Sequence, residues 1–226
     1  MQNCKRQSGK EHGVTLIEIA IVLVIIGLLL GGVLQSQQLM ENSRVRSATD
    51  DFNRIRAALS SYQDRYGRLP GDDPDALPAR GASWPEGAAG NGNGVIANPT
   101  TAFAPLVTDE VGFFFQNLRS AGLLPGDPAA DLVAALPANP FEGLITIVTG
   151  AVLADGSGND LSGTKVCMGN VGGTAAIALD TQLDDGNSVS GRFRASTDGG
   201  VPNTDPDASA DAAYREDSSY TVCYRI

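Results

Sequence analysis

Two patterns of apolar residues follow one another without a break near the N-terminus. Over residues 13–34, GVTLIEIAIVLVIIGLLLGGVL, nearly every position is apolar and the one charge is Glu18. As a helix, residues 14–34 extend about 31 Å, which matches the hydrocarbon core of a bilayer. From Val45 the pattern becomes a single stripe: Val45, Ala48, Phe52, Ile55, Leu59, Tyr62 and Tyr66, spaced alternately three and four residues apart. Polar residues fill the positions between, with Asp50 and Arg54 at helix-neighbour spacing, so this is one face of an amphipathic helix. A stripe this short and unrepeated favours packing on the protein's own sheet over a coiled-coil seam. Gly67 and Pro70 supply the stop. One helix over residues 14–66 is therefore predicted, about 80 Å if continuous. Its first half suits lipid and its second half a globular head.

Beyond Tyr66 the chain changes character. Residues 67–98 are rich in Gly, Pro, Ala and Asp, including GNGNG at 90–94, and read mostly as loop. Residues 110–121 fit a short helix presenting Val111, Phe114, Phe115 and Leu118, and the Phe113-Phe114-Phe115 run reads as core rather than as a ligand platform. Strand candidates are 144–149, 165–168, 191–195 and the C-terminal 220–226, whose alternation places Tyr220, Val222, Tyr224 and Ile226 on one face. Residues 174–183 read as helix, ended by the LDDG turn at 183–186.

Charge and cysteines narrow the function classes. The formal charge is −10, but the first 13 residues carry Lys5, Arg6 and Lys10 against Glu11, which leaves −12 on the rest. An acidic body repels phosphate backbones, so no nucleic-acid partner is expected; Arg192 and Arg194 are the one close basic pair past the first helix. The single histidine, His12, lies in the basic leader. Without it, no Ser-His-Asp or Cys-His catalysis and no His-ligated zinc can be built, so no catalytic residue and no metal ligand are assigned and no enzyme is expected. Cys4 belongs to the leader, and Cys167 and Cys223 form an even pair in the distal half. In an exported protein they read as one disulfide, with two buried thiols as the alternative. It would close a loop of about 57 residues, worth about 4 kcal/mol on the chain-entropy account.

Three readings compete for the N-terminus. A secretory signal has the basic leader, but the apolar run is long for one and Gln35-Ser36-Gln37-Gln38 offers no small-x-small cleavage site. A plain single-pass anchor fits the length, with the basic leader cytoplasmic and the acidic body exported. It leaves Glu18 unexplained, because a carboxylate in a bilayer costs about 3 kcal/mol and marks function. The third reading explains it: Gly13-Val14-Thr15-Leu16-Ile17-Glu18 resembles the processing site of type IV pilins and of the pseudopilins of type II secretion. The resemblance implies cleavage by prepilin peptidase between Gly13 and Val14, N-methylation of Val14, and an assembly role for Glu18, whose carboxylate neutralises the terminal amine of an adjacent subunit.

It further implies an α+β fold, pilin-like, with the long N-terminal helix packed on a C-terminal antiparallel β-sheet head. The divisions are a leader at 1–13, an apolar transmembrane and assembly half-helix at 14–42, an amphipathic half at 43–66 and a head at 67–226. The run from Tyr62 to Asp73 and the distal cysteine pair also resemble features of some pilin-like heads. The implied partners are prepilin peptidase, other pilin or pseudopilin subunits, an inner-membrane assembly platform, and membrane lipid before assembly. The implied location is the bacterial inner membrane, leader cytoplasmic and head periplasmic, and then a filament. Two departures from the family pattern are Val14 in place of phenylalanine and Gln35, preceded by Gly31-Gly32, in place of a late proline. With the sizeable head, the missing proline points to a minor pilin or pseudopilin. The alternative from another class is a membrane-anchored exported binding module, and the mature N-terminus discriminates the two.

Other motifs fall short. GNDLSGTK at 158–165 places Lys165 two residues past the glycine rather than one, so it is not a phosphate-binding loop. Asp155-Gly156-Ser157-Gly158-Asn159-Asp160 and Asp205-Pro206-Asp207 alternate oxygen-bearing residues but lack the glycine and closing glutamate of a helix-loop-helix calcium site. Some pseudopilin heads bind calcium, yet solvated turns are the simpler reading; no cofactor is expected, with calcium alone left open. The acid pairs Asp72-Asp73 and Asp184-Asp185 show no cleft for glycosidase chemistry.

Overall fold

The computed structural model describes residues 15–85, 87, 89–96, 101–106, 109–130, 132–211 and 213–226, with Leu34 and Leu132 described by backbone alone. The predicted helix is present as α1, Leu16–Tyr66. It ends where the sequence supplies its glycine: Gly67 adopts φ +65° and donates its N–H to the Gln63 carbonyl, the left-handed stop that a side chain disfavours. The remaining elements are a 3-10 turn Pro78–Arg80, α2 Glu110–Ser120, α3 Leu132–Ala135, β1 Ile145–Val148, β2 Lys165–Gly172, α4 Gly173–Leu183, β3 Phe193–Thr197 and β4 Ser219–Arg225. The contacts divide the chain between Glu41 and Asn42. Architecture is α+β and pilin-like: a long N-terminal helix followed by a four-stranded antiparallel sheet in the order β1-β2-β4-β3.

The stripe that defines the second half of α1 is the core side of the head. Val45, Ala48, Phe52, Ile55, Leu59 and Tyr62 are buried there with Phe114, Phe115 and Leu118 of α2 and Leu179 of α4. From the sheet, Ile145, Ile147, Val166, Met168, Phe193, Ala195, Tyr220, Val222 and Tyr224 face the same core, as strand alternation demands. Phe52 is its centre, edge-on to Phe193 at 6.2 Å and to Tyr224 at 5.6 Å between ring centroids. Phe52→Ala is expected to destabilise the head by about 3–5 kcal/mol; denaturant unfolding of the full chain in detergent, followed by tyrosine and tryptophan fluorescence, measures it.

The opposite face of the sheet carries a second, smaller core of Phe103, Val148, Val152, Leu153, Leu161 and the two cysteines. Cys167 and Cys223 face each other in the β2–β4 register and are joined as a disulfide with both residues fully buried. The segment 150–163 lies over this core and is tied down by two cations from the strands. Lys165 donates from Nζ to the carbonyls of Gly150, Leu161 and Gly163 at 2.7, 2.7 and 2.8 Å. Arg194 donates to the carbonyls of Leu153 and Asn159 at 2.9 and 2.7 Å. Burial pushes the Lys165 ammonium down to about 8, and the three carbonyls keep it charged at neutral pH.

Three expectations need adjustment. The strand begun at Lys165 continues past Met168 to Gly172, through a register shift between Met168 and Val171 where Asn170 sits at φ +61° and donates to the Phe141 carbonyl. That irregularity, a bulge, is what made the strand look shorter than it is. The strand expected at 191–195 is displaced, running from Phe193 to Thr197, because Gly191 is in a left-handed turn at φ +68°. Asp205 is a half-buried tether rather than a solvated turn acid: its carboxylate accepts the Phe103 N–H at 3.0 Å.

Candidate functional site

At the start of α1 the chain forms a reciprocal cap. Glu18 Oε2 accepts the backbone N–H of Thr15 at 2.9 Å and the Thr15 hydroxyl at 2.8 Å, and the Thr15 hydroxyl faces the Glu18 N–H at 3.4 Å. Thr-x-x-Glu in this arrangement is a capping box, which satisfies donors that a helix start leaves orphaned. The signal stood in the sequence as Thr15-Leu16-Ile17-Glu18 and escaped the reading of Glu18 as an assembly residue alone. Oε1 takes no hydrogen bond from the described residues, so one oxygen remains for a group outside the helix.

C-terminal to the cap, the apolar side chains from Leu16 to Val33 stand exposed. This part of α1 is long and apolar enough to cross a membrane. A methyl group added at Gly27, Gly31 or Gly32 would meet nothing within 4 Å, so these glycines serve no packing inside the chain. The helix passes through Gly31, Gly32 and Gln35 without interruption. Gly13 and Val14, the residues of the expected cleavage and methylation, lie outside the described residues, as does the leader.

Residues 8–34 match the family described as the prokaryotic N-terminal methylation motif. The chain carries the leader signature of type IV pilins and pseudopilins. The match takes in Gly13, Val14 and Glu18 and supports a pilin-like subunit that is processed and exported through a single-pass inner-membrane anchor. That motif implies processing by prepilin peptidase and pilin assembly, and its family is structural rather than catalytic. Among curated proteins, none matches the chain closely enough to count as a relative. The head of this pilin-like chain lies outside the matched segment, so its chemistry rests on its own geometry.

That geometry uses the polar groups of the pilin-like head for building. Where α1 meets the long loop, Asp73 is fully buried and accepts from Tyr62 at 2.7 Å and from Arg80 at 2.5 and 3.2 Å. The Arg80 guanidinium also lies 4.6 Å from the Tyr66 ring centre and 5.2 Å from that of Trp84, a cation held between faces of negative potential. Burial alone would raise the Asp73 carboxyl; the hydrogen bonds from Arg80, Tyr62 and the Asp75 N–H outweigh it and hold it below the ordinary aspartate value. Burial, and then Asp73, push the Tyr62 hydroxyl up. Asp72 beside it gathers the N–H groups of Asn93 and Gly94 at 2.9 and 2.6 Å. Gly90 makes this approach possible, because a side chain there would collide with the Gly71 carbonyl.

The distal acids are equally occupied. Asp180, Asp184 and Asp185 bring carboxylate oxygens within 4.8 Å of one another. Asp180 takes the Tyr214 hydroxyl at 2.7 Å and the Gly186 N–H at 2.9 Å. Asp184 takes the N–H groups of Arg192 and Phe193, and Asp185 those of Asn187 and the Ser190 hydroxyl. These contacts fasten the end of α4 to β3. In the DGSGND turn, the Asp155 carboxylate is consumed by the N–H groups of Ser157 and Asn159, each at 2.8 Å, and by the Asn159 amide. Arg192 and Arg194 form no basic strip: Arg194 is buried, and Arg192 lies 5.4 Å from the Tyr224 ring centre.

Proposed function

We propose that this chain is a minor pilin or pseudopilin, a structural subunit polymerised through its N-terminal helix and without catalytic work. It is made as an inner-membrane precursor, leader in the cytoplasm and head in the periplasm, cut between Gly13 and Val14 and methylated on Val14. An assembly platform then moves it into a filament. The observation that carries the reading is Glu18, the fifth residue after the cleavage point, inside a matched methylation motif on an otherwise apolar helix. Its capped oxygen anchors the helix start, and its second oxygen receives the methylated amine of a neighbouring subunit. Two charges that are costly singly in an apolar bundle cancel only in the correct stagger. The uninterrupted helix through Gln35 supports the minor pilin or pseudopilin assignment. The exposed Gly27, Gly31 and Gly32 are suited to close approach between helices once subunits are packed.

Intact-mass measurement of the chain purified from membranes tests the processing. The expected species begins at Val14 and is one methyl group heavier than the bare polypeptide. A chain that keeps its Met1 leader, or one that begins beyond Leu34, would leave an anchored binding module as the reading.

A further inference from the structure

Between the amphipathic part of α1, the end of α2 and the start of β1, the head holds a partly open cavity of about 180 Å³. Its walls are mostly carbon, from Ile55, Leu124, Pro125, Pro137 and Ile145. Two arginines interrupt them. Arg54, at the rim, is paired with Asp51 one turn away. Arg119 is the more informative. Its Nε donates to the Pro125 carbonyl at 3.3 Å, while Nη1 is closed off from solvent and finds no acceptor among the described residues. The loop is shaped around this guanidinium: a side chain at Gly126, which adopts φ +121°, would stand 2.7 Å from Arg119 Nε. Burial also pushes the Arg119 guanidinium down from its ordinary value.

An orphaned buried N–H is costly. A guanidinium donor on the wall of an apolar cavity calls for an acceptor that the chain does not itself supply. We propose that this cavity is a binding site for a carboxylate on a short aliphatic stem. The planar fork of Arg119 matches a carboxylate, and the stem covers the carbon walls. The volume is well below the about 300 Å³ at which drug-sized pockets begin, which limits the stem to a few carbons. Asp51 on the same wall, and Asp127 acting on Arg119 from the following loop, disfavour a dianion such as phosphate. The same chemistry is offered by a small aliphatic acid and by a glutamate side chain of another protein. The site stands on head geometry alone and is independent of how the N-terminus is processed.

Ligand-observed NMR on the full chain in detergent tests it, with sodium valerate, the neutral isostere valeramide and a blocked Ala-Glu-Ala tripeptide as probes. Saturable binding of valerate, of the tripeptide or of both is expected, with valeramide at least about tenfold weaker. Valerate alone identifies a free acid as ligand, and the tripeptide alone identifies a protein side chain. Arg119→Met should abolish the signal, and Arg119→Lys, which keeps the charge and stem, should weaken it about tenfold by losing the fork. Thermal unfolding of each variant shows whether it is folded, and Arg119→Lys carries the test if Arg119→Met is not. The proposal is overturned if folded wild type binds neither acid saturably, if valeramide binds equally, or if a folded Arg119 variant binds as wild type does.

Discussion

Replacing Glu18 by alanine is expected to leave the chain inserted in the membrane and to remove it from filaments. Alanine deletes two things at once. The first is the capping box with Thr15, worth about 1 kcal/mol to the helix start. The second is the anion offered to a neighbour's amine; a charge stranded in an apolar bundle costs about 3–5 kcal/mol. Together these lower incorporation by about a hundredfold or more. Two further variants separate the terms. Glu18→Gln can still cap the helix but carries no charge, so it should fail nearly as badly as alanine. Thr15→Val removes the cap and keeps the charge, so it should incorporate with a modest loss. Immunoblots of sheared filaments against the membrane fraction read all three; normal incorporation of Glu18→Gln would remove the charge pairing from the mechanism.

The largest effect on the head is expected from Asp73→Ala. This change takes the acceptor from Arg80 and Tyr62 in a place closed to water, and the penalty is about 3–5 kcal/mol in denaturant unfolding. The pH dependence has a definite sign. The carboxyl is held below the ordinary 3.8 in the folded head, so its stabilisation is complete above that value and disappears as pH falls through the folded value. The difference between wild type and Asp73→Asn should therefore be constant near neutrality and narrow in acid below pH 3.8. Asp51, Glu110, Asp180 and Asp205 are shifted the other way, chiefly by burial. Protonating them favours the folded form, which blunts the acid loss of the wild type. The variant difference isolates Asp73 from them.

What the sequence disclosed follows how local each signal is. The stripe from Val45 to Tyr66 reports a helix face because its period is written into consecutive residues, and that face became the core. The alternation around Cys223 likewise set the two faces of β4, with Tyr220, Val222 and Tyr224 inward. Glu18 was conspicuous because a charge in an apolar run is rare. The partnerships that organise the head were hidden, because nothing periodic links Tyr62, Asp73 and Arg80. Lys165 shows the same limit. Its surroundings failed as a phosphate loop, but only the fold reveals three carbonyls around its ammonium. The bulge at Asn170 concealed half of β2, since a left-handed residue inside a strand breaks the alternation that announces it.

The covered disulfide fixes a chronology. Cys167 and Cys223 lie on the sheet face that segment 150–163 closes over, with Lys165 and Arg194 as its latches. Thiol exchange needs a sulfur within reach of another thiol, and here neither sulfur is accessible once the segment is down. The bond must therefore be made while that face is still open, before the latches engage. Oxidation is an early step in the life of this head, and afterwards the finished subunit is sealed against the redox chemistry of whatever compartment it is carried into.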